Sequence, residues 1–176
     1  MTKAAILSAL ALSLPAFAAQ EGAPLRASLI GYQEVPSVSS KADGEFEARI
    51  AADGQSFDYT LAWEGLQADV LMAHIHFAQK GVTGPIVVWL CQTSTNPAPA
   101  AAAGVPTCPG RSGVVRGTVT SANVLAANAT QQLAAGELAE VIDAMRAGAA
   151  YANVHSSLSP GGEIRGQIGA RGHSGR

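Results

Sequence analysis

The chain has 176 residues, with 11 Lys and Arg against 13 Asp and Glu and a formal net charge of −2. That length fits one domain with a substantial core. Charged residues make up only 14% of the chain, a sparse and nearly balanced set that excludes the basic footprint of a nucleic-acid binder and the polybasic patch of a membrane-surface protein.

Residues 1–18 read as a signal peptide. Lys3 is a short basic start, Ala4 to Leu14 an apolar run, and Ala16-Phe17-Ala18 a small-x-small cleavage site after Pro15. The run is shorter than the roughly 20 residues a spanning helix needs, and no later stretch is both long and apolar enough. The expected product is an exported chain, periplasmic or secreted, without a membrane span. Its domain runs over residues 19–170, and residues 171–176 read as a disordered tail.

Alternation of apolar and polar residues dominates the domain. Phe46, Ala48 and Ile50 occupy every second position of one run, and Phe57, Tyr59, Leu61 and Trp63 do so in the next. Asp53-Gly54 between them signals a hairpin. Further strands are predicted at 25–30, 70–77, 86–90, 114–120, 151–155 and 163–168, punctuated by Gly81, Gly84-Pro85, Gly110 and Pro160-Gly161-Gly162. Tyr59, Trp63 and Trp89 read as core. Residues 137–147 break the pattern: Leu138, Val141, Ile142 and Met145 recur at helical spacing, with Glu137 and Glu140 early and Arg146 late. These elements predict an all-β Greek-key sandwich with seven or eight strands and one short crossover helix over an end or edge.

The two cysteines, Cys91 and Cys108, form an even pair. In an exported chain that implies a disulfide. It would staple the Pro- and Ala-rich stretch between them and contribute about 3 kcal/mol in chain-entropy models.

Three stretches taken together resemble the CHRD (chordin-domain) family. They are Leu29-Ile30-Gly31-Tyr32-Gln33-Glu34-Val35-Pro36, then Ala73-His74-Ile75-His76-Phe77 with Gly84-Pro85-Ile86-Val87, and Tyr151-Ala152-Asn153-Val154-His155 with Pro160-Gly161-Gly162-Glu163-Ile164-Arg165-Gly166-Gln167-Ile168. The resemblance covers roughly Leu25 to Ile168. It implies an immunoglobulin-like Greek key similar to Cu/Zn superoxide dismutase. The implied function is broader: the family includes the repeated domain of chordin, a secreted growth-factor antagonist, and many single-domain bacterial proteins.

Of the four histidines, His74 and His76 stand two apart in a predicted strand, so their side chains leave on one face. Their Cα atoms would lie roughly 6.5–7 Å apart, a span two imidazoles bridge to one metal. The apolar alternate set Leu71, Ala73, Ile75 and Phe77 should face the core and turn the histidines away from it. Met72 shares the histidines' face and offers a thioether as an extra ligand, which tilts the set toward copper over zinc. His155 is added by the resemblance, because a His-x-His strand and a later Val-His strand both ligate copper in the superoxide dismutase pattern. The departure from that pattern is as informative. No histidine lies between His76 and His155, so the enzyme's dinuclear site cannot be built, and Arg165 does not match its anion-guiding arginine.

The resulting expectation is one copper ion held by His74, His76 and His155, with Asn153 and Glu163 as candidates to orient the rings. Affinity should fall as pH drops through the imidazole range, because only the neutral ring binds metal. The alternative is that His74 and His155 hydrogen-bond backbone or carboxylate groups and stitch two strands together. The protein would then be an extracellular protein-binding module with neither metal nor catalysis, and oxidoreductase activity using the same copper is a third reading. A triad of Ser156, His155 and Asp143 lacks a nucleophile elbow, and the Asn128-Ala129-Thr130 sequon is a short motif that arises by chance.

Overall fold

The structure, a computed structural model, describes residues 23–170. The expected signal peptide, the tail 171–176 and His173 lie outside the described residues. No helix among the described residues is long and apolar enough to cross a membrane.

Eight strands run β1 Leu25–Ile30, β2 Asp43–Ile50, β3 Ser56–Glu64, β4 Val70–Phe77, β5 Ile86–Cys91, β6 Gly113–Thr120, β7 Ala150–Ser156 and β8 Ile164–Gln167. Every run with period-two alternation is a strand. The hairpin at Asp53-Gly54 joins β2 to β3. There Gly54 takes a left-handed φ of 69° and the Asp53 carboxylate accepts the Gln55 N–H at 2.9 Å. One helix, α1 Leu138–Arg146, lies between β6 and β7. Its stripe of Leu138, Val141, Ile142 and Met145 joins the central core.

The arrangement of the strands departs from the expected pair of packed sheets. All eight belong to one antiparallel sheet in the order β5-β4-β7-β8-β1-β2-β3-β6, which curls into a nearly closed barrel. Alternation reports that one face of each strand is buried, and a curled sheet buries the same residues as two stacked sheets do. Phe46, Phe57, Leu61, Ile75, Val154 and Ile164 fill the interior. Across it the Tyr59 hydroxyl on β3 donates to the Leu90 carbonyl on β5 at 2.6 Å. Trp63 is in the core as expected, whereas Trp89 is only partly buried and lies on the outer face.

Cys91 ends β5 with its Cα 5.0 Å from that of Cys108, a disulfide-compatible pair. The pair braces the segment leading into β6.

Candidate metal centre

The site begins with register. β4 and β7 pair antiparallel, so that Met72 faces His155, His74 faces Asn153, and His76 faces Tyr151. Residues directly opposite share a face, so the outer side of this strand pair carries a single polar stripe. β8 extends it, with Arg165 opposite Asn153 and Gln167 opposite Tyr151. A fold that joins strands 81 positions apart therefore brings His155 beside the His-x-His pair.

His74, His76 and His155 converge. One ring nitrogen from each lies within 4.8 Å of the other two, a group that could hold a metal ion. The Nδ1 of His74 stands 3.2 Å from the Nε2 of His155. Two nitrogens each about 2.0–2.1 Å from one ion would be roughly 3.3 Å apart at a tetrahedral angle, so this spacing suits a shared ion. Met72 stands opposite His155 in the register of β4 and β7.

Backbone carbonyls orient two of the rings. The Nδ1–H of His76 donates to the Gly84 carbonyl at 2.9 Å, and that of His155 to the Pro160 carbonyl at 3.0 Å. Those protons leave the Nε2 lone pairs of both rings facing the site. The Gly84 carbonyl comes close enough because residue 84 has no side chain; a Cβ there would collide with the Phe77 carbonyl. The Nε2 atoms of His74 and His76 are buried without a hydrogen-bond partner. Buried nitrogens of this kind are rare unless something else satisfies them.

Both faces of β4 are closed off at the site. His74 is 0%, His155 4% and His76 8% exposed. The histidines do point away from the interior formed by Ala73 and Ile75, as the pattern of the strand requires, but other residues cover them. Trp89 packs on His74 with ring centroids 4.2 Å apart, and Tyr151 stacks on His76 at 4.7 Å and 1°. Burial drives the imidazole pKa values down, to about 4 for His76 and lower for His74, where the neighbouring histidines add to the effect; that of His155 is lowered as well. Burial therefore favours the neutral form of each ring, the form that binds metal.

Asn153 and Glu163 make their hydrogen bonds to groups other than the histidines, although Asn153 stands opposite His74. Asn153 donates to Glu34 Oε1 at 2.6 Å and to the Ile164 carbonyl at 2.8 Å. The fully buried Glu163 accepts from the Ser40 hydroxyl at 2.7 Å and the Gln67 N–H at 2.9 Å. These bonds tie the β1–β2 and β3–β4 loops to the outer face beside the site. Burial raises the Glu34 pKa to about 7.

Sequence reasoning missed Tyr151, Glu34 and the two carbonyls, and took Trp89 for core. Tyr151 alternates with Asn153 and His155 and was legible as part of their face; the carbonyls carry no sequence signal beyond the neighbouring Gly84-Pro85 and Pro160-Gly161. No curated protein and no solved structure shows a significant match to the chain. The family model of the CHRD domain matches residues 25–168, a span that holds all eight strands and the three histidines, and the chain belongs to the CHRD domain family.

Proposed function

We propose that this CHRD protein is exported and binds a single copper ion through His74, His76 and His155, to store, carry or buffer it or to pass an electron. The observation that carries the reading is the convergence of three buried, neutral imidazoles, two of them with Nδ1 protons engaged by carbonyls and lone pairs turned inward. Structural histidines would be expected to satisfy both nitrogens, whereas His76 leaves Nε2, the nitrogen turned toward the other two rings, buried and orphaned. Three neutral imidazoles suit copper or zinc, and the thioether of Met72 on the same face favours copper. For both nitrogens to hold the ion, the proton that His74 Nδ1 shares with His155 would move to His74 Nε2, and that hydrogen bond would be replaced by two metal–nitrogen bonds. The three-ligand set lacks the histidines a dinuclear centre needs, which argues against superoxide dismutation on the familiar design.

Export rests on the residues 1–18 pattern and on the disulfide-compatible pair, which suits an oxidising compartment. A Greek-key relation to superoxide dismutase is supported by the non-consecutive neighbours β4–β7, β8–β1 and β3–β6. Asn153 and Glu163 act on the site through the loops they anchor.

The test is calorimetric titration of copper into metal-stripped protein and into a triple His74→Ala, His76→Ala, His155→Ala variant. The expected result is one equivalent bound by wild type and loss of at least about 100-fold in affinity in the variant. Equal, weak binding by both would remove the metal reading. The second reading, an extracellular protein-binding module, would then lead. It has its own support in Tyr32 (68% exposed) and Val35, which line a cleft of about 430 Å³ on the β1–β2 loop.

A further inference from the structure

Behind His76 stands a column of side chains that the copper reading leaves unused. The Tyr151 ring lies parallel to the His76 ring at 4.7 Å, and the Arg165 guanidinium carbon lies 3.8 Å from the Tyr151 centroid on β8. Arg165 is 2% exposed and donates to the Val82 carbonyl at 3.1 Å. Among the described residues it forms no ion pair. Of the buried carboxyl groups of this face, Glu163 is bound by Ser40 and Gln67; Glu34 lies within reach of the Arg165 charge, but it is hydrogen-bonded by Asn153, and burial raises its pKa to about 7, so that it is only partly ionised near neutrality. A fixed positive charge is thus held beside three neutral ligands, and no carboxylate belongs to the ligand group.

Resting on the metal reading above, we infer that Arg165, held over Tyr151 and His76, sets the charge of the ion this site accepts, selecting monovalent Cu(I) against divalent Cu(II) and Zn(II). Burying an ion without anionic ligands costs more as its charge rises. The arginine adds to that cost by direct repulsion, which is screened little away from water. At an effective dielectric of about 20, a unit charge about 10 Å away changes the equilibrium for one additional positive charge by roughly tenfold. Stacking on Tyr151 keeps the guanidinium in place, since the ring face attracts the cation.

The selection is tested in the purified chain with two variants, Arg165→Gln, which removes the charge, and Arg165→Lys, which keeps it. Cu(I) and Zn(II) affinities are measured by chelator competition, and the one-electron Cu(II)/Cu(I) potential by equilibrium redox titration. Arg165→Gln should raise Zn(II) affinity relative to Cu(I) by about tenfold and lower the copper potential by about 59 mV, the same factor for one electron. Arg165→Lys should stay near wild type in both. An unchanged ratio in Arg165→Gln overturns the inference, and so does an equal shift in the two variants, which would mark a purely structural role. Where circular dichroism shows Arg165→Gln unfolded, wild type decides: one equivalent of Zn(II) must fail to displace Cu(I), and displacement overturns the inference. Absence of any ion binding by wild type removes the copper reading itself, and the inference with it.

Discussion

The two halves of the barrel share one apolar interior but present different outer faces. On β2 burial alternates strictly, and the outward residues Asp43, Glu45 and Arg49 are exposed. Their neighbours form solvent-facing ion pairs and hydrogen bonds, Arg26–Glu47 and Arg49–Glu47 at 2.7 Å, and Thr118–Asp58 at 2.6 Å. On β7 and β8 every residue is buried, inward and outward alike. The outer face there is covered by the β1–β2 loop and by the turns 81–85 and 157–163, which reach it through Glu34, Val82, Gly84 and Pro160. Strand chemistry is the same in both halves; loop coverage makes one polar stripe a solvated surface and the other a water-poor site. In the first, a charge contributes little because water and salt screen it. In the second, each polar atom needs a partner, and the orphaned atoms include the His76 Nε2 at the candidate centre as well as Glu163 Oε2 and Gln167 Oε1.

Variants that disturb the covered face should therefore cost the most. Gly84→Ala places a methyl group against the Phe77 backbone and shifts the carbonyl that orients His76. It should destabilise by about 1–3 kcal/mol and lower copper affinity by about tenfold or more. Urea denaturation and calorimetry read the two effects. Full affinity in a destabilised variant would show that the Gly84 carbonyl does not position the ring.

Glu163→Ala leaves the Ser40 hydroxyl and the Gln67 N–H without their acceptor. A loss of about 1–3 kcal/mol is expected. Hydrogen exchange should show the amides of residues 31–42 and 65–69 opening first. Uniform exchange across the chain would contradict the anchoring role.

Acid should act on the covered face with two opposite signs. The three histidines have folded pKa values below their unfolded value of 6.5. Below pH 6.5 the unfolded chain takes up protons that the folded chain refuses. Their contribution is therefore complete above pH 6.5 and lost as pH falls below it, down to about 4 for His76, at up to about 1.4 kcal/mol per pH unit for a ring. Glu34 works in the opposite direction. Its folded pKa is raised from 4.5 to about 7, so its contribution is complete below pH 4.5 and lost as pH rises through 7. The wild type should lose stability between pH 6.5 and 5. The triple histidine variant should gain stability over the same interval, because only the Glu34 effect remains. Denaturant midpoints at several pH values test this, and parallel curves would refute it. Copper affinity should hold down to about pH 5, below the window the ordinary imidazole range implies.

The smallest effect belongs to the exposed half. Glu47→Ala removes both pairs with Arg26 and Arg49, which hold its carboxyl below the ordinary range. The cost should stay under about 1 kcal/mol and shrink further at high salt. A larger or salt-independent loss would place this face on the same footing as the covered one.

What the sequence determined by itself was local. Alternation identified the strands and most of their faces, with Trp89 misread, helical spacing identified α1, and the two-residue step between His74 and His76 put both imidazoles on one side of β4. These features hold wherever the strand ends up, because side-chain direction in a strand depends only on the backbone pleat. The tertiary structure alone decided the rest. It curled one sheet into a barrel instead of stacking two, and seated β7 against β4 in the register that delivers His155. It also covered the outer face with loops whose carbonyls orient the rings, and set Arg165 over Tyr151 behind His76. Each of these depends on pairing between segments far apart in the chain, and a backbone carbonyl or a stacked ring gains its role only from what the fold brings next to it.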